Sequence, residues 1–266
     1  MGWLSSYKFR YYPRIQDGAI IMLVDQKLIE QFNQNIRDSS LQEASQNFLQ
    51  AMDISLDVSG TMPQDGAILL ISNHPSVMDP VILSALTQRD DLYLIGMPIE
   101  QFMGKAGSQR LFPVYRKWSL EDFFLNILAR GPEKHILNDS EELQRRNRQA
   151  ITDAAAYISE GHILGIFPSG GAGHSSTANN WKAGVGFLAK QITNPSTHLV
   201  FVNLNGLNEW AMLRILRPTL RSLLTSPAQV TVSIAEPILL SELIHPEEDG
   251  KQSAQTLASA YTELFS

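Results

Sequence analysis

Apolar residues in the first fifty positions recur at intervals of three and four, the spacing that gathers them on one face of an α-helix. A polar break at Ser39 and Ser40 separates two such runs, and serine is favoured at the start of a helix. The pattern predicts two amphipathic helices before residue 53, the second starting at one of these serines. Their apolar positions are Leu28, Ile29, Phe32 and Ile36, then Leu41, Ala44, Phe48 and Leu49.

The period changes to two at Ile54, where apolar and polar residues alternate as in a half-buried strand. A helix predicted over about 140–160 has a capping pair at Asp139 and Glu142 and a stop at Gly161. Alternating strands and helices predict an α/β fold, with a sheet flanked by helices in one domain at 54–266 and an N-terminal helical extension at 1–53. Further runs of strand length lie at 67–71, 92–95, 163–167, 199–204 and 230–234.

The first sixteen residues combine five aromatic and three basic side chains, and no acidic residue precedes Asp17. Aromatic and basic side chains are both favourable at the headgroup level of a bilayer, although a segment packed on the domain fits the same residues. No apolar run approaches the ~18 residues of a membrane span, and the N-terminus lacks the apolar core of a secretory signal. We therefore expect a cytoplasmic protein in peripheral contact with a membrane. If the first sixteen residues are not packed on the domain, the N-terminal extension faces that membrane.

Composition narrows the classes of function. Hydrophobic residues make up 44% of the 266 positions and charged residues 18%, which indicates a globular chain with a lightly charged surface. Lys and Arg total 21 against 27 Asp and Glu, a net charge of −6, so the whole chain has no basic footprint for nucleic acid. The absence of cysteine excludes a thiolate nucleophile and cysteine-bound zinc, so catalysis must use other groups.

A histidine and a carboxylate, His74 and Asp79, follow the buried strand at 67–71 with four residues between them. Pro80 suits the first turn of a helix, so His74 stays in the preceding loop, where active-site residues often lie. A folded loop can bring the carboxylate to one imidazole nitrogen, which fixes the tautomer and supports the charge when the other nitrogen takes a proton. In the alternative interpretation Asp79 caps the helix and His74 is an ordinary loop histidine.

Several further blocks, in the order of the chain, resemble the glycerolipid acyltransferases, the family that includes the lysophosphatidic acid acyltransferases. The ordered set is far more specific than any one block. The matching segments, within about residues 54–240, are His-x4-Asp in 73–79, Gly-Ser-Gln-Arg-Leu-Phe-Pro-Val-Tyr-Arg at 107–116, Ile-Phe-Pro-Ser-Gly at 166–170, Trp-Lys-Ala-Gly at 181–184, and the fourth motif and closing strand at 199–206 and 236–238.

The resemblance implies an O-acyltransferase of phospholipid biosynthesis with an acyltransferase-type sheet. Such an enzyme moves a fatty acyl group from acyl-CoA or an acyl carrier protein to a hydroxyl of a lipid acceptor such as a lysophospholipid. The resemblance also implies that His74 is the general base and that Asp79 orients it. Asn73 beside them is a candidate oxyanion donor, and we expect no metal and no other cofactor.

The third motif departs from the family pattern, which has a glutamate after Phe-Pro and usually an arginine soon after the following glycine. Ser169 and a glycine run that begins at Gly170 occupy this stretch. Arg116 and Lys182 remain as contacts for an acceptor phosphate, together with backbone N–H groups of the glycine run. The departure leaves two alternatives open, a noncatalytic lipid-binding relative of the family and a lipid esterase with Ser169 as nucleophile.

Overall fold

The computed structural model describes residues 24–97, 100–115, 140–173 and 177–266, so the predictions for residues 1–16, Asp139 and Arg116 lie outside it. The helices are α1 (Gln26–Asp38), α2 (Leu41–Ala51), α3 (Asp79–Leu86), α4 (Glu100–Ser108), α5 (Ser140–Ser159), α6 (Gly184–Gln191), α7 (Pro218–Leu224), α8 (Leu240–Leu243) and α9 (Gly250–Phe265), with 3₁₀ helices at Ala178–Asn180 and Glu209–Ile215. The strands are β1 (Ile54–Ser59), β2 (Ile68–Ser72), β3 (Leu92–Gly96), β4 (Leu111–Pro113), β5 (Ile163–Ile166), β6 (His198–Asn205), β7 (Ala228–Ile234) and β8 (Ile238–Leu239).

The elements with the strongest patterns lie where the sequence predicts them. Ser40 begins α2, and its hydroxyl accepts a hydrogen bond from the N–H of Glu43. Helix α5 ends at Ser159, and Gly161 takes the left-handed conformation with φ 102° that closes the helix. The sequence does not predict the short strands β4 and β8, because segments of three and two residues are too short to show an alternating pattern.

One eight-stranded sheet forms the centre of the fold, in the order β1-β7-β6-β2-β5-β3-β4, with β8 also paired to β6. Strands β6, β2, β5, β3 and β4 run parallel, whereas β7 is antiparallel to β6 and β1 is parallel to β7. We call the end of the sheet where these five parallel strands finish the carboxyl edge. The segments that follow β2 and β5 therefore leave the sheet side by side at this edge, where α/β proteins usually bind their ligands.

The central strands are buried on both faces because helices cover each side of the sheet. In β2, Ile68 and Leu70 pack into one apolar core together with α1, α2 and α3. The alternate residues Leu69 and Ile71 pack into a second core with α5, α6 and α9. This layering confirms the predicted α/β class with a sheet flanked by helices.

The two N-terminal helices belong to the first core. Helix α1 contacts α2 and α4, and α2 also contacts α3 and β1. On α1, the buried side chain of Asn33 donates to the carbonyl of Ile29 and accepts from the N–H of Ala106, both at 2.7 Å. The boundary at residue 53 between an extension and a domain stays a prediction. None of the described helices is both long enough and apolar enough to cross a membrane.

Candidate active site

The loop between β2 and α3 brings His74 and Asp79 together at the carboxyl edge. Nδ1 of His74 lies 2.8 Å from Oδ2 of Asp79. The same oxygen accepts a hydrogen bond from the backbone N–H of Ser76, also at 2.8 Å. The His74 side chain is 16% exposed whereas Asp79 is fully buried, so the imidazole reaches the surface while its carboxylate partner is shielded.

The electrostatics of the pair follow from these contacts. Burial raises the pKa of Asp79 above its ordinary value, and the hydrogen bonds from His74 and Ser76 partly offset that rise. Two donors that converge on one oxygen are the pattern expected of a carboxylate acceptor. With that carboxylate as its partner, Nδ1 of His74 carries the ring proton and Nε2 keeps its lone pair, a tautomer assigned from the hydrogen-bond network.

Asp79 does not cap the helix that it begins. It is the first residue of α3, and its carboxylate turns back to the loop residues His74 and Ser76. The residue at the N-cap position, Met78, makes no side-chain capping bond either. The capping interpretation is therefore wrong for this helix, and the contacts of the carboxylate serve the loop and its histidine.

Two contacts from the β5 side hold His74 in place. The ring of Phe167, the first residue after β5, stacks on the imidazole with the centroids 4.3 Å apart and the planes inclined by 20°. The N–H of Gly173 donates to the carbonyl oxygen of His74 at 2.9 Å. Sequence reasoning did not single out Phe167, because only the pairing of β2 with β5 brings it to the histidine. The sequence signal that could have identified Phe167 is its position directly after a buried strand.

The side chain of Asn73 links two neighbouring strands. Its Nδ2 donates to the carbonyl oxygen of Leu204, and its Oδ1 accepts from the N–H of the same residue, both at 2.8 Å. The link lies beyond the last backbone pair of β2 and β6, which joins Ser72 with Val202. Both polar atoms of the carboxamide are engaged in the fold, and the predicted role of Asn73 as an oxyanion donor stays a prediction.

Ser169 lies in the altered third motif, and its side chain is buried. Its hydroxyl donates to the carbonyl oxygen of Gly171 at 3.1 Å. Both Ser169 and His74 are described, and no hydrogen bond joins them. A serine nucleophile needs its base within hydrogen-bond reach, so these contacts give no support to the esterase alternative.

The glycine run that begins at Gly170 folds back over the loop of His74. Gly170, with φ 72°, closes a turn by donating its N–H to the carbonyl of Phe167 at 3.0 Å, and Gly173 bonds to His74 as described. The N–H groups of Gly171 and Ala172 donate to no residue in the described part of the chain. Two of the four backbone N–H groups of this short run are thus bonded within the fold.

Lys182 crosses the same turn. Its N–H donates to the carbonyl oxygen of Pro168 at 2.8 Å, and its Cγ lies 3.7 Å from where a Cβ on Gly170 would stand. The side chain is exposed, and its ammonium group pairs with no carboxylate among the described residues. The backbone and Cγ of Lys182 therefore lie beside the glycine run, and its contact with an acceptor phosphate stays a prediction.

The second motif is described up to Tyr115, one residue before Arg116. The N–H of Tyr115 donates to Oδ1 of Asn147 at 2.7 Å, and its carbonyl accepts from Nδ2 of the same asparagine at 2.8 Å. This pair fixes the chain after β4 against α5. The position of Arg116 relative to His74 remains a prediction.

The fold and the site together define a class of protein. A mostly parallel sheet whose carboxyl edge carries a buried carboxylate and an oriented histidine is typical of an α/β enzyme that activates a proton-bearing nucleophile. The Acyltransferase family model matches residues 55–202, more than half of the chain, and the chain belongs to this family. The family predicted from the ordered motif blocks is thereby confirmed, and membership implies an acyl donor and a lipid acceptor.

The chain is also similar to a solved structure, the 1-acyl-sn-glycerophosphate (LPA) acyltransferase PlsC from Thermotoga maritima. The similarity covers 92% of this chain and 91% of that one, with 14% sequence identity and a TM-score of 0.44. No curated protein matches the chain.

Proposed function

We propose that this protein transfers a fatty acyl group from an acyl thioester to a hydroxyl of a lipid acceptor such as a lysophospholipid. His74 is the general base, and Asp79 orients it. The observation that carries the proposal is the 2.8 Å contact between His74 Nδ1 and the buried Asp79 carboxylate at the carboxyl edge of the sheet. Membership of the Acyltransferase family supports the reaction class.

The proposed chemistry uses the free nitrogen of His74. Nε2 takes the proton of the acceptor hydroxyl while that oxygen attacks the carbonyl carbon of the thioester. The resulting tetrahedral oxyanion collapses, the carbon–sulfur bond breaks, and the thiol leaves with the proton that the imidazolium returns. Asp79 stabilises the imidazolium between the two proton transfers because its carboxylate holds Nδ1–H in place.

The acceptor site is proposed to hold a phosphate where one is present. Lys182 supplies a positive charge, and the N–H groups at Gly171 and Ala172 supply hydrogen-bond donors in the loop that begins at Gly170. Arg116 is proposed as the second cation on sequence grounds, since a guanidinium binds phosphate through two hydrogen bonds. The donor is acyl-CoA or an acyl carrier protein, since both present the same thioester.

The decisive measurement is steady-state transfer of a labelled acyl group, from each donor in turn, to a lysophospholipid. His74→Ala is expected to lower kcat by about 10²–10⁴-fold, the usual contribution of a general base, without opening a cavity in either core. Asp79→Asn is expected to lower kcat by a smaller factor, because the amide no longer stabilises the imidazolium. Lys182→Gln should raise KM for a phosphate-bearing acceptor and leave KM for the donor unchanged.

The chain offers a matched control in a second histidine–carboxylate pair. Nδ1 of His162 lies 3.0 Å from Oδ2 of Asp91, and these residues precede β5 and β3, at the end of the sheet away from the carboxyl edge. His162→Ala removes a partly exposed imidazole of the same kind and should leave kcat unchanged. A folded His74→Ala variant with near-normal turnover would overturn the assignment. Lipid binding by wild-type protein without transfer from either donor would favour the noncatalytic alternative.

A further inference from the structure

The connection between β6 and β7, residues 206–227, carries an unusual amount of exposed apolar surface. Trp210 is 62% exposed on the second 3₁₀ helix, and Leu223 and Leu224 are 80% and 55% exposed at the end of α7. Single exposed apolar residues are common on protein surfaces, but three large ones on one connection indicate a contact surface.

Topology places this connection at the carboxyl edge. It begins where β6 ends, and it returns into β7, which is antiparallel to β6, so both of its ends lie at that edge. The end of β6 is hydrogen-bonded to the active-site loop, because the backbone of Leu204 binds the side chain of Asn73, the residue next to His74. The exposed apolar side chains and the proposed base therefore share one end of the molecule.

The exposure is built into the fold, because two buried arginines hold the connection to the body of the protein. Arg214 donates to the carbonyl oxygens of Met52 at 2.9 Å and Ser226 at 2.6 Å. Arg221, on the same short helix as the two leucines, binds Oδ2 of Asp25 at 2.9 Å and also donates to the carbonyl oxygen of Ala51, the last residue of α2. With one side of α7 anchored in this way, its leucines stay turned outward.

The charges around the connection favour an anionic partner. Arg217 is exposed at the start of α7, and Glu209 is the one acidic residue of the connection. The N-terminal chain enters here too, since Val24 forms a β-bridge with Leu216. Residues 1–23, which come directly before Val24 in the sequence, carry three basic residues and one acidic one, an excess of positive charge in a chain whose net charge is −6.

We infer that the β6–β7 connection is a docking surface for a phospholipid membrane that contains anionic lipid. Trp210, Leu223 and Leu224 enter the interface, and Arg217 lies at the headgroup level, where tryptophan and basic side chains are favourable. The inference rests on the proposed function, because docking this end of the molecule lets a lipid acceptor pass from the bilayer to His74 without crossing water.

The test is flotation of the full-length protein with phosphatidylcholine vesicles, with and without phosphatidylglycerol. Leu223→Ser combined with Leu224→Ser is expected to lower the partition coefficient by about tenfold or more, and Trp210→Ala to lower it as well. Arg217→Gln should reduce only the gain from phosphatidylglycerol. The matched control is Leu264→Ser, which removes a leucine that is 53% exposed from α9, a helix of the second core.

Three results would overturn the inference: unchanged binding by the leucine and tryptophan variants, an equal loss in the Leu264→Ser control, and a wild-type dimer that the leucine variants convert to a monomer. A fourth result would also overturn the inference: combined Lys8→Gln, Arg10→Gln and Arg14→Gln substitutions that abolish vesicle binding while the leucine variants bind normally. Flotation needs no turnover, so a protein that docks through this surface and transfers no acyl group contradicts only the proposed function.

Discussion

The double hydrogen bond between Asn73 and Leu204 gives a sharp test of how the active-site loop is held. Asn73→Ala removes both partners from a buried backbone unit of β6. Each hydrogen bond contributes about 0.5–1.5 kcal/mol net, and a buried backbone group left unpaired costs about 1–3 kcal/mol. We expect a loss of about 2–4 kcal/mol in the free energy of unfolding, toward the lower figure where water reaches the half-buried site.

Asn73→Asp keeps the shape of the side chain and separates the two bonds. A carboxylate still accepts from the N–H of Leu204, but its second oxygen faces the carbonyl oxygen now held at 2.8 Å by the amide. That repulsion raises the pKa of the new carboxyl above its unfolded value near ~3.9, because only the protonated form can donate to the carbonyl. The stabilising bond is therefore present below the unfolded pKa and is lost as pH rises through the folded pKa.

Urea unfolding of wild type and variants at neutral pH and at about pH 3 measures this difference. The deficit of Asn73→Asp should be largest at neutral pH and should shrink in acid. Asn203→Asp is the matched control one residue before Leu204, since its Oδ1 only accepts from the hydroxyl of Tyr261 at 2.9 Å, as a carboxylate can. An Asn73→Asp protein as stable as wild type at neutral pH, but with a selective loss of kcat, would refute the structural role and favour an oxyanion donor.

Two further predictions concern stability. Gly186→Ala should destabilise the protein by about 1–3 kcal/mol, because its Cβ would stand 2.0 Å from the carbonyl oxygen of Gly250 where α6 crosses α9. Gly184→Ala is the control, since its Cβ would meet nothing within 4 Å. Thermal unfolding compares the two variants, and equal stabilities would contradict the close crossing. Burial raises the pKa of Asp91, but hydrogen bonds from Arg89 and a neighbouring histidine outweigh it and hold the pKa below its ordinary value. The stability that the Asp91 carboxylate contributes is present above its unfolded pKa and is lost as pH falls through its folded pKa. The loss in free energy of unfolding caused by Asp91→Asn, measured with urea, should therefore vanish in acid, and a loss that does not change with pH would contradict this prediction.

The sequence alone determined the elements whose patterns are local. The helices α1 and α2 follow from apolar residues three and four positions apart, because burial of one helix face imposes that spacing. The central strands follow from short continuous apolar runs, because both of their faces are buried. The spacing of His74 and Asp79 around a strand end and a proline left two interpretations open, a histidine–carboxylate pair and a helix cap. The resemblance to the family favoured the pair, which needs only one loop to close. The ordered motif blocks predicted the family for a related reason, since each block is a contiguous stretch of chain.

The tertiary structure alone decided what depends on strand order. Phe167 meets His74, and Leu204 meets Asn73, only because β5 and β6 flank β2, and these partners lie far apart along the chain. No local period encodes which strands become neighbours, because strand order depends on contacts between segments that are far apart along the chain. The outward leucines of α7 are also decided by the tertiary structure, because their exposure depends on buried arginines that bind a backbone carbonyl and a carboxylate from other parts of the chain.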